Sequence, residues 1–243
     1  MDCCTVVTGA ASGIGYAVAQ KLLKAGACIV AVDMNAERLQ ERFGGNPSVT
    51  CIACDLASAD GFKMLTDGIK AYYDGVKGFV HAAGFDRMAP LGMISAESVS
   101  QLIAIHAIFP IQFLGWLAKK NNHVEGAAAV LISSLSAHEG AKGHVAYAAA
   151  KGAVEGFLKP AAAELAPKGI RLNAVVLGIV QTEMSQGWIS KLTPDQFAAI
   201  SDGYPMGLGK PSDVANAVNF LLSSDAAWIT GQTLVCDGGH AVS

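Results

Sequence analysis

Short apolar runs typical of buried strands alternate with helical stretches along the whole chain. Because strands joined through a helix run parallel and their crossovers are right-handed, this order predicts an α/β fold with a doubly wound parallel sheet of about seven strands. Strands are predicted at 3–8, 28–33, 49–54, 78–82, 128–133, 171–176 and 232–236. Helices are predicted at 14–25, 36–43, 60–73, 96–119, 147–166 and 212–223.

Length and composition indicate a single domain over 1–243, since 243 residues suit one α/β unit and no Pro/Gly/Ser-rich linker divides the chain. The stretch 178–208 has little strand signal and is predicted as a substrate-covering insert, with a helical cover over the core as the alternative. A formal charge of −3 argues against nucleic acid. No unbroken apolar run is long enough for a membrane span and no leader is visible, so we expect a cytoplasmic protein without a membrane partner.

A glycine-rich turn stands between the first predicted strand and the first helix. Gly9 allows a sharp turn, Gly13 lets backbone amides approach a phosphate, and Gly15 lets the helix pack closely on the strand. The amides at the helix N-terminus then face an anion. In this strand–turn–helix context the spacing predicts a dinucleotide pyrophosphate site.

Two aspartates follow the next two predicted strands. Asp33 can bind both ribose hydroxyls and would repel a 2′-phosphate, and residues 34–37 supply no cation, so NAD is favoured over NADP. Asp55 can accept the adenine amino group or can cap the following helix. No metal site is predicted, because side chains three apart in a strand, such as Cys51 and Cys54, point to opposite faces.

Tyr147 and Lys151 have the i, i+4 spacing that places both on one face of a helix. A lysine ammonium stabilises a phenolate, so we expect Lys151 to lower the pKa of Tyr147. Ser134 ends a predicted strand at the sheet edge where ligands bind in such folds, and its hydroxyl can hold a substrate oxygen. Together with a dinucleotide turn, these residues predict hydride transfer coupled to proton transfer at a carbonyl.

These motifs resemble those of the short-chain dehydrogenase/reductase family over nearly the whole chain. The matching segments are Thr8-Gly9-x-x-x-Gly13-Ile14-Gly15, Ala83-Gly84, Ile132-Ser133-Ser134, Tyr147-x-x-x-Lys151, Arg171-Leu172-Asn173, Thr230-Gly231-Gln232 and Asp237-Gly238-Gly239. The resemblance implies a Rossmann fold, an NAD(P)-dependent alcohol–ketone oxidoreductase, and a homotetramer or homodimer.

The resemblance also implies residue roles. Tyr147 is then the general acid/base, Ser134 orients the carbonyl, and Lys151 additionally binds the nicotinamide ribose. Asp55 matches the adenine contact. The remaining cofactor positions implied are Ser12, Ile14, Leu56, Ala83, Gly84, Ile179 and Thr182.

The chain departs from the family pattern at two asparagine positions. Ala82 stands where an amide usually steadies the central strand, and His106 stands where an asparagine helps to hold a water in the proton relay. An imidazole could hold that water, titrate in its place, or pack against the core. The other histidines are expected to be exposed loop residues, although two of them, His138 and His144, flank the predicted cleft and could instead contact substrate. These histidines are His81, His123, His138, His144 and His240.

The small-molecule substrate stays open. A 3-oxoacyl thioester reductase of fatty-acid synthesis is one alternative, although Asp33 disfavours the NADPH that such reductases usually take. A non-catalytic dinucleotide-binding sensor is an alternative of another class. A sensor would need the glycine turn but not Ser134, Tyr147 and Lys151 together.

Overall fold

Seven strands form one parallel sheet in the computed structural model. The structure describes residues 3–242, so Met1, Asp2 and Ser243 of the predicted domain lie outside the described residues. The strands are β1 Cys4–Thr8, β2 Ile29–Asp33, β3 Val49–Ala53, β4 Val76–His81, β5 His123–Ser134, β6 Arg171–Leu177 and β7 Thr233–Cys236. Their order is β3-β2-β1-β4-β5-β6-β7, which confirms the doubly wound sheet. The order reverses between β1 and β4, and ligands bind beside such switch points.

Helices cover both faces of the sheet. They are α1 Gly13–Lys24, α2 Ala36–Phe43, α3 Ala59–Tyr72, α4 Ala96–Ile103, α5 Phe109–Leu117, α6 Val145–Leu165, α7 Glu183–Ile189, α8 Pro194–Ser201 and α9 Pro211–Leu222. One core packs α1, α2 and α9 against the sheet, and the other packs α3, α5 and α6. Burial on both faces explains why the strands are apolar runs without alternation.

The helix predicted at 96–119 contains a π-helical turn, Ala104–Ile108, between α4 and α5. The amide of Phe109 donates to the carbonyl of Ala104, five residues back, and the next residue, Pro110, has no N–H to continue regular α-helical bonding. Single π turns of this kind are frequent at functional sites. This turn carries His106.

The insert predicted at 178–208 is largely helical, since α7 and α8 lie within it. Thr182 begins α7 and Thr193 begins α8, each with reciprocal side-chain bonds to the first helical turn. Tyr204 follows α8 and its hydroxyl accepts a hydrogen bond from the Ile179 amide at 3.0 Å. The insert is therefore fastened to the chain that leaves β6.

Arg171 and Asn173 connect β6 to the end of α9. The Arg171 guanidinium donates to the carbonyls of Leu221 at 2.7 Å and Ser223 at 3.0 Å. Asn173 donates to the carbonyl of Ile229 at 2.9 Å and accepts from the amide of Gln232 at 3.0 Å. These bonds satisfy the last carbonyls of α9 and fix the path of the chain into β7.

The continuous helix Ala96–Leu117 is long and apolar enough to cross a membrane by length and composition, and 44% of its most apolar window is buried inside the protein. This criterion alone is weak, because core helices of globular proteins meet it as well. Here the helix packs Leu102, Phe109 and Phe113 into the protein interior.

Candidate active site

A cleft of about 1290 Å³ opens at the carboxyl ends of the central strands. The structure places every residue predicted from the sequence on the wall of this cleft. They are Gly9, Ser12, Gly13, Ile14, Gly15, Asp33, Asp55, Leu56, Ala83, Gly84, His106, Ser134, Tyr147, Lys151, Ile179 and Thr182.

The glycine turn is too crowded for side chains. A Cβ on Gly9 would lie 2.9 Å from the backbone of Ala83, and one on Gly15 would lie 2.2 Å from the carbonyl oxygen of Gly9. Ser12, the N-cap of α1, makes no side-chain capping bond, so it leaves the amides of the first turn for another acceptor. A pyrophosphate fits this cradle, because unpaired amides and the helix dipole both favour an anion.

Asp33 ends β2 and faces the cleft. Its Oδ2 accepts from the Ala11 amide at 3.1 Å, and its Oδ1 accepts from the Asn35 amide at 3.1 Å. Each carboxylate oxygen keeps a lone pair, so the side chain can still accept from ribose hydroxyls while it holds the glycine turn in place.

Asp55 and Leu56 follow β3 along the same wall. The Asp55 carboxylate accepts from the Ala57 amide at 2.9 Å in a turn that leads into α3, whose N-cap is Ser58. The capping role considered for Asp55 is thus taken largely by Ser58, and the Asp55 side chain lies at the cleft. Leu56 is buried beneath it.

Thr8 and His81 connect the ends of β1 and β4. The Thr8 hydroxyl accepts from the amides of Ala82 at 3.2 Å and Ala83 at 3.1 Å, and it lies 2.9 Å from His81 Nδ1. His81 Nε2 lies 2.8 Å from the carbonyl of Ile105 in the π turn. The expectation of an exposed loop histidine is wrong for His81, which is buried because it ends a central strand.

Ser134, Tyr147 and Lys151 converge on one side of the cleft. Ser134 ends β5 and its hydroxyl bonds Ser136 at 3.2 Å, while Tyr147 and Lys151 project from the same face of α6. Lys151 Nζ lies 5.6 Å from the centre of the Tyr147 ring. It donates to the carbonyl of Ile132 on β5 at 2.7 Å, which fixes the lysine against the sheet.

Burial controls the protonation of this group. Burial raises the pKa of Tyr147 above its ordinary value, with the Asp86 carboxylate acting in the same direction and the Ser134 hydrogen bond opposing them. Burial lowers the pKa of Lys151 to about 7, opposed by Asp86. In the protein alone the pKa of the phenol is therefore raised and not lowered as expected, because desolvation outweighs the opposing contact.

His106 packs edge-on against Tyr147, with ring centres 5.5 Å apart and planes at 83°. Its Nε2 lies 3.0 Å from the carbonyl of Phe85, so Nε2 carries the hydrogen. Burial, followed by the charge of Lys151, holds the pKa of His106 well below its ordinary value. Of the three alternatives, titration is disfavoured. The neutral ring packs beside Tyr147 and leaves Nδ1 as an acceptor.

Asp86 is a cleft residue that the sequence reasoning missed, and His144, which the sequence places at the flank of the cleft, also lines it. His144 Nε2 lies 3.2 Å from Asp86 Oδ2, and both side chains are mostly buried. The expectation of an exposed histidine is wrong for His144, because the N-terminus of α6 places it between Tyr147 and the loop after β4. It holds for His138, which is exposed but pairs with Glu155. Asp86 could have been found from the sequence, because it stands only two residues after Gly84, which was itself predicted to border the cofactor.

Comparisons with known proteins agree with this geometry. The family profile described as "Enoyl-(Acyl carrier protein) reductase" matches residues 9–241. The chain is 33% identical to "Uncharacterized oxidoreductase YmfI" of Bacillus subtilis, over 98% of this chain and 99% of that protein. It is 34% identical to "D-threitol dehydrogenase" of Mycolicibacterium smegmatis, over 98% of this chain and 92% of that protein.

A solved short-chain dehydrogenase/reductase from Brucella melitensis, described as "Glucose/ribitol dehydrogenase", superposes with a TM-score of 0.91 at 29% identity, covering 99% of this chain and 97% of that one. The chain belongs to the short-chain dehydrogenase/reductase family. It is accordingly an oxidoreductase that depends on a nicotinamide dinucleotide.

Proposed function

We propose that the protein interconverts a secondary alcohol and a ketone, with Tyr147 as the general acid/base. The observation that carries this proposal is the convergence of Ser134, Tyr147 and Lys151 beside a cradle that accommodates a pyrophosphate. The nicotinamide, when bound, supplies or accepts the hydride.

The protein's own residues manage the proton. In ketone reduction the neutral Tyr147 hydroxyl donates its proton to the carbonyl oxygen as negative charge develops there, and the Ser134 hydroxyl donates a hydrogen bond to the same oxygen. Lys151 Nζ, 5.6 Å from the ring centre and bonded to the Ile132 carbonyl, places its charge beside the phenolate that remains. Lys151 is buried, whereas Ser134 and Tyr147 are half-buried on the cleft wall, where a substrate oxygen can reach them.

Replacing Tyr147 with Phe tests this assignment. We expect kcat/KM for ketone-dependent NADH oxidation to fall by about 10³-fold, while NADH binding followed by fluorescence stays within about twofold. Tyr73→Phe is the matched control, because that phenol bonds Thr50 at 2.9 Å, away from the cleft. Turnover retained by the Tyr147→Phe variant would refute the proposal.

We propose NAD as the preferred cofactor. Asp33 presents a negative charge where a 2′-phosphate would lie, and Arg38, the nearest cation on α2, is paired with Glu183. Asp33→Asn keeps an oxygen for a backbone amide and removes the charge. We expect it to raise the NADPH-to-NADH ratio of kcat/KM by about tenfold or more. A wild-type enzyme that prefers NADPH would contradict this assignment.

A 3-oxoacyl thioester reductase is the second candidate. The matching family profile is described by an acyl-carrier-protein activity, and the cleft extends to Met184 and Trp188 on α7, which can contact an acyl chain. A screen of NADH oxidation over small ketones, aldoses and 3-oxoacyl thioesters separates the two. Higher kcat/KM for the thioester than for any small ketone selects the second candidate.

We also propose a cytoplasmic homotetramer or homodimer. Large apolar side chains are exposed on the surface, including Ile108, Ile111 and the fully exposed Trp228. Such exposure favours burial against another copy of the chain. Light scattering at several concentrations measures the mass, and a monomer at micromolar concentration would contradict the oligomer.

A further inference from the structure

Asp86 and His144 form a polar pair beside Tyr147 that the proposed proton transfer does not use. Asp86 lies in the loop after β4, and His144 stands at the N-terminus of α6 without capping it. The two loops are fastened to each other, because the Ala89 amide donates to the carbonyl of Gly143 at 2.9 Å. The pair is therefore held in place by the backbone on both sides.

Three buried side-chain atoms lack a hydrogen-bond partner within residues 3–242, and two of the three belong to this pair. They are Asp86 Oδ1, His144 Nδ1 and His106 Nδ1. All three residues line the cleft, and the rings of His106 and His144 lie 5.5 and 6.3 Å from the Tyr147 ring. Buried polar atoms are rarely left unpaired, so a cluster of them in a cleft indicates a site for a polar ligand.

The unpaired atoms call for a hydrogen-bond donor. Asp86 Oδ1 only accepts, and the neutral His106 presents Nδ1 as an acceptor because Nε2–H faces the Phe85 carbonyl. In His144, Nε2 faces the Asp86 carboxylate at 3.2 Å, so Nδ1 is the ring atom left without a protein partner. A ligand carboxylate cannot donate here and would be repelled by Asp86.

Hydroxyl and ammonium groups both donate, but charge selects between them. Asp86 attracts an ammonium ion, whereas a protonated Lys151 and the positive charge of an oxidised nicotinamide both repel it. A hydroxyl group can donate to Asp86 Oδ1 without that cost. A substrate with only alkyl groups here would leave the acceptors unpaired after water is displaced.

We propose that Asp86 and His144 bind a hydroxyl group on the carbon next to the reacting carbon, so that the substrates are vicinal diols and the corresponding hydroxy ketones. The proposal rests on the alcohol–ketone chemistry proposed above for Tyr147. It makes Asp86 the residue that selects for the second oxygen of the substrate.

Dead-end binding to the NADH-loaded protein tests the subsite without turnover. In titration calorimetry we expect 2,3-butanediol to bind the wild type at least about tenfold more tightly than 2-butanol. In Asp86→Ala the two Kd values should come within about threefold of each other, with the Kd of 2-butanol nearly unchanged. His144→Ala should also reduce the preference for the diol over 2-butanol. This variant provides the test if Asp86→Ala does not fold.

Glu139→Ala is the matched control, because Glu139 is another carboxylate on the cleft wall and pairs with His240 at 3.2 Å. We expect this variant to keep the preference for the diol. Equal Kd values for the two alcohols in the wild type would overturn the proposal, as would equal weakening of both in Asp86→Ala. A diol preference without ketone-dependent NADH oxidation would instead refute the proposed reaction and leave the subsite standing.

Discussion

The burial of Lys151 should destabilise the fold at neutral pH. Burial lowers the pKa of this amine from 10.5 to about 7. Since one pKa unit corresponds to about 1.4 kcal/mol, the folded protein carries a cost of about 5 kcal/mol for holding this lysine when it is protonated. Lys151→Met keeps most of the side-chain volume and removes the charge, so the variant should be inactive but more stable than the wild type near pH 7.

The sign of the pH dependence follows from the two pKa values. Below about pH 7 the lysine is protonated in both states and the full cost is present. Between about pH 7 and pH 10.5 the unfolded chain binds a proton that the folded protein has released, so stability rises with pH and the cost fades. From pH 7 to pH 9 the wild type should gain about 2 kcal/mol relative to Lys151→Met.

Urea unfolding of the cofactor-free proteins at pH 7, 8 and 9, at one fixed protomer concentration, measures this difference. The variant also loses the bond from Lys151 to the Ile132 carbonyl, a pH-independent loss of about 1 to 2 kcal/mol, so its advantage at pH 7 should be about 2 to 3 kcal/mol. Lys159→Met, an exposed lysine on α6, is the control and should show no such pH dependence. An equal difference for Lys151→Met at all three pH values would refute the lowered pKa.

Three further variants test contacts around the site. A Cβ on Gly84 would lie 2.0 Å from His106 Cε1, so Gly84→Ala should lower the free energy of unfolding by about 2 kcal/mol or more. Adding His106→Asn to this variant should recover part of that free energy, as measured by urea unfolding. Glu183→Gln breaks the exposed ion pair with Arg38, which joins α7 to α2. In stopped-flow, the NADH dissociation rate should rise by about two- to fivefold at low salt and stay unchanged at high salt. An unchanged rate at low salt would show that this ion pair does not help to retain the cofactor. Arg171→Lys cannot reach all the carbonyls at the end of α9 and should lower stability by about 1 to 3 kcal/mol, whereas an unchanged melting midpoint would show that these bonds contribute little.

The sheet and the position of the cleft could be predicted from the sequence because they depend on local patterns. Buried parallel strands are apolar runs, and their carboxyl ends share one edge, so Asp33, Ser134 and the glycine turn had to lie near one another. The i, i+4 spacing likewise placed Tyr147 beside Lys151.

Protonation and pairing across loops could not be predicted in the same way. Spacing on a helix tells which side chains are neighbours, but the pKa of Tyr147 depends on burial beneath other elements. Asp86 and His144 come from separate loops that meet through the bond between Ala89 and Gly143, and neither loop has a periodic pattern. The π turn depends on Pro110, which marks a break in helical bonding without telling where the extra residue goes.

A chain of hydrogen bonds runs from Ala82, one of the two departures from the family asparagines, to the π turn that carries the other, His106. His81 Nε2 faces the carbonyl of Ile105 and must carry the hydrogen, so Nδ1 accepts from the Thr8 hydroxyl at 2.9 Å. Burial lowers the pKa of His81 to about 3, which keeps the ring neutral as this chain requires. Thr8 in turn accepts from the amide of Ala82, the residue that lacks the family amide side chain.

This chain joins β1, β4 and the π turn that carries His106. An amide side chain at position 82 is therefore not needed to hold the central strands, because His81 supplies the connection from the neighbouring position. The same connection fixes the π turn, and the turn sets the edge of His106 against Tyr147. The connection through Thr8 and His81 therefore links position 82 to the turn that carries His106.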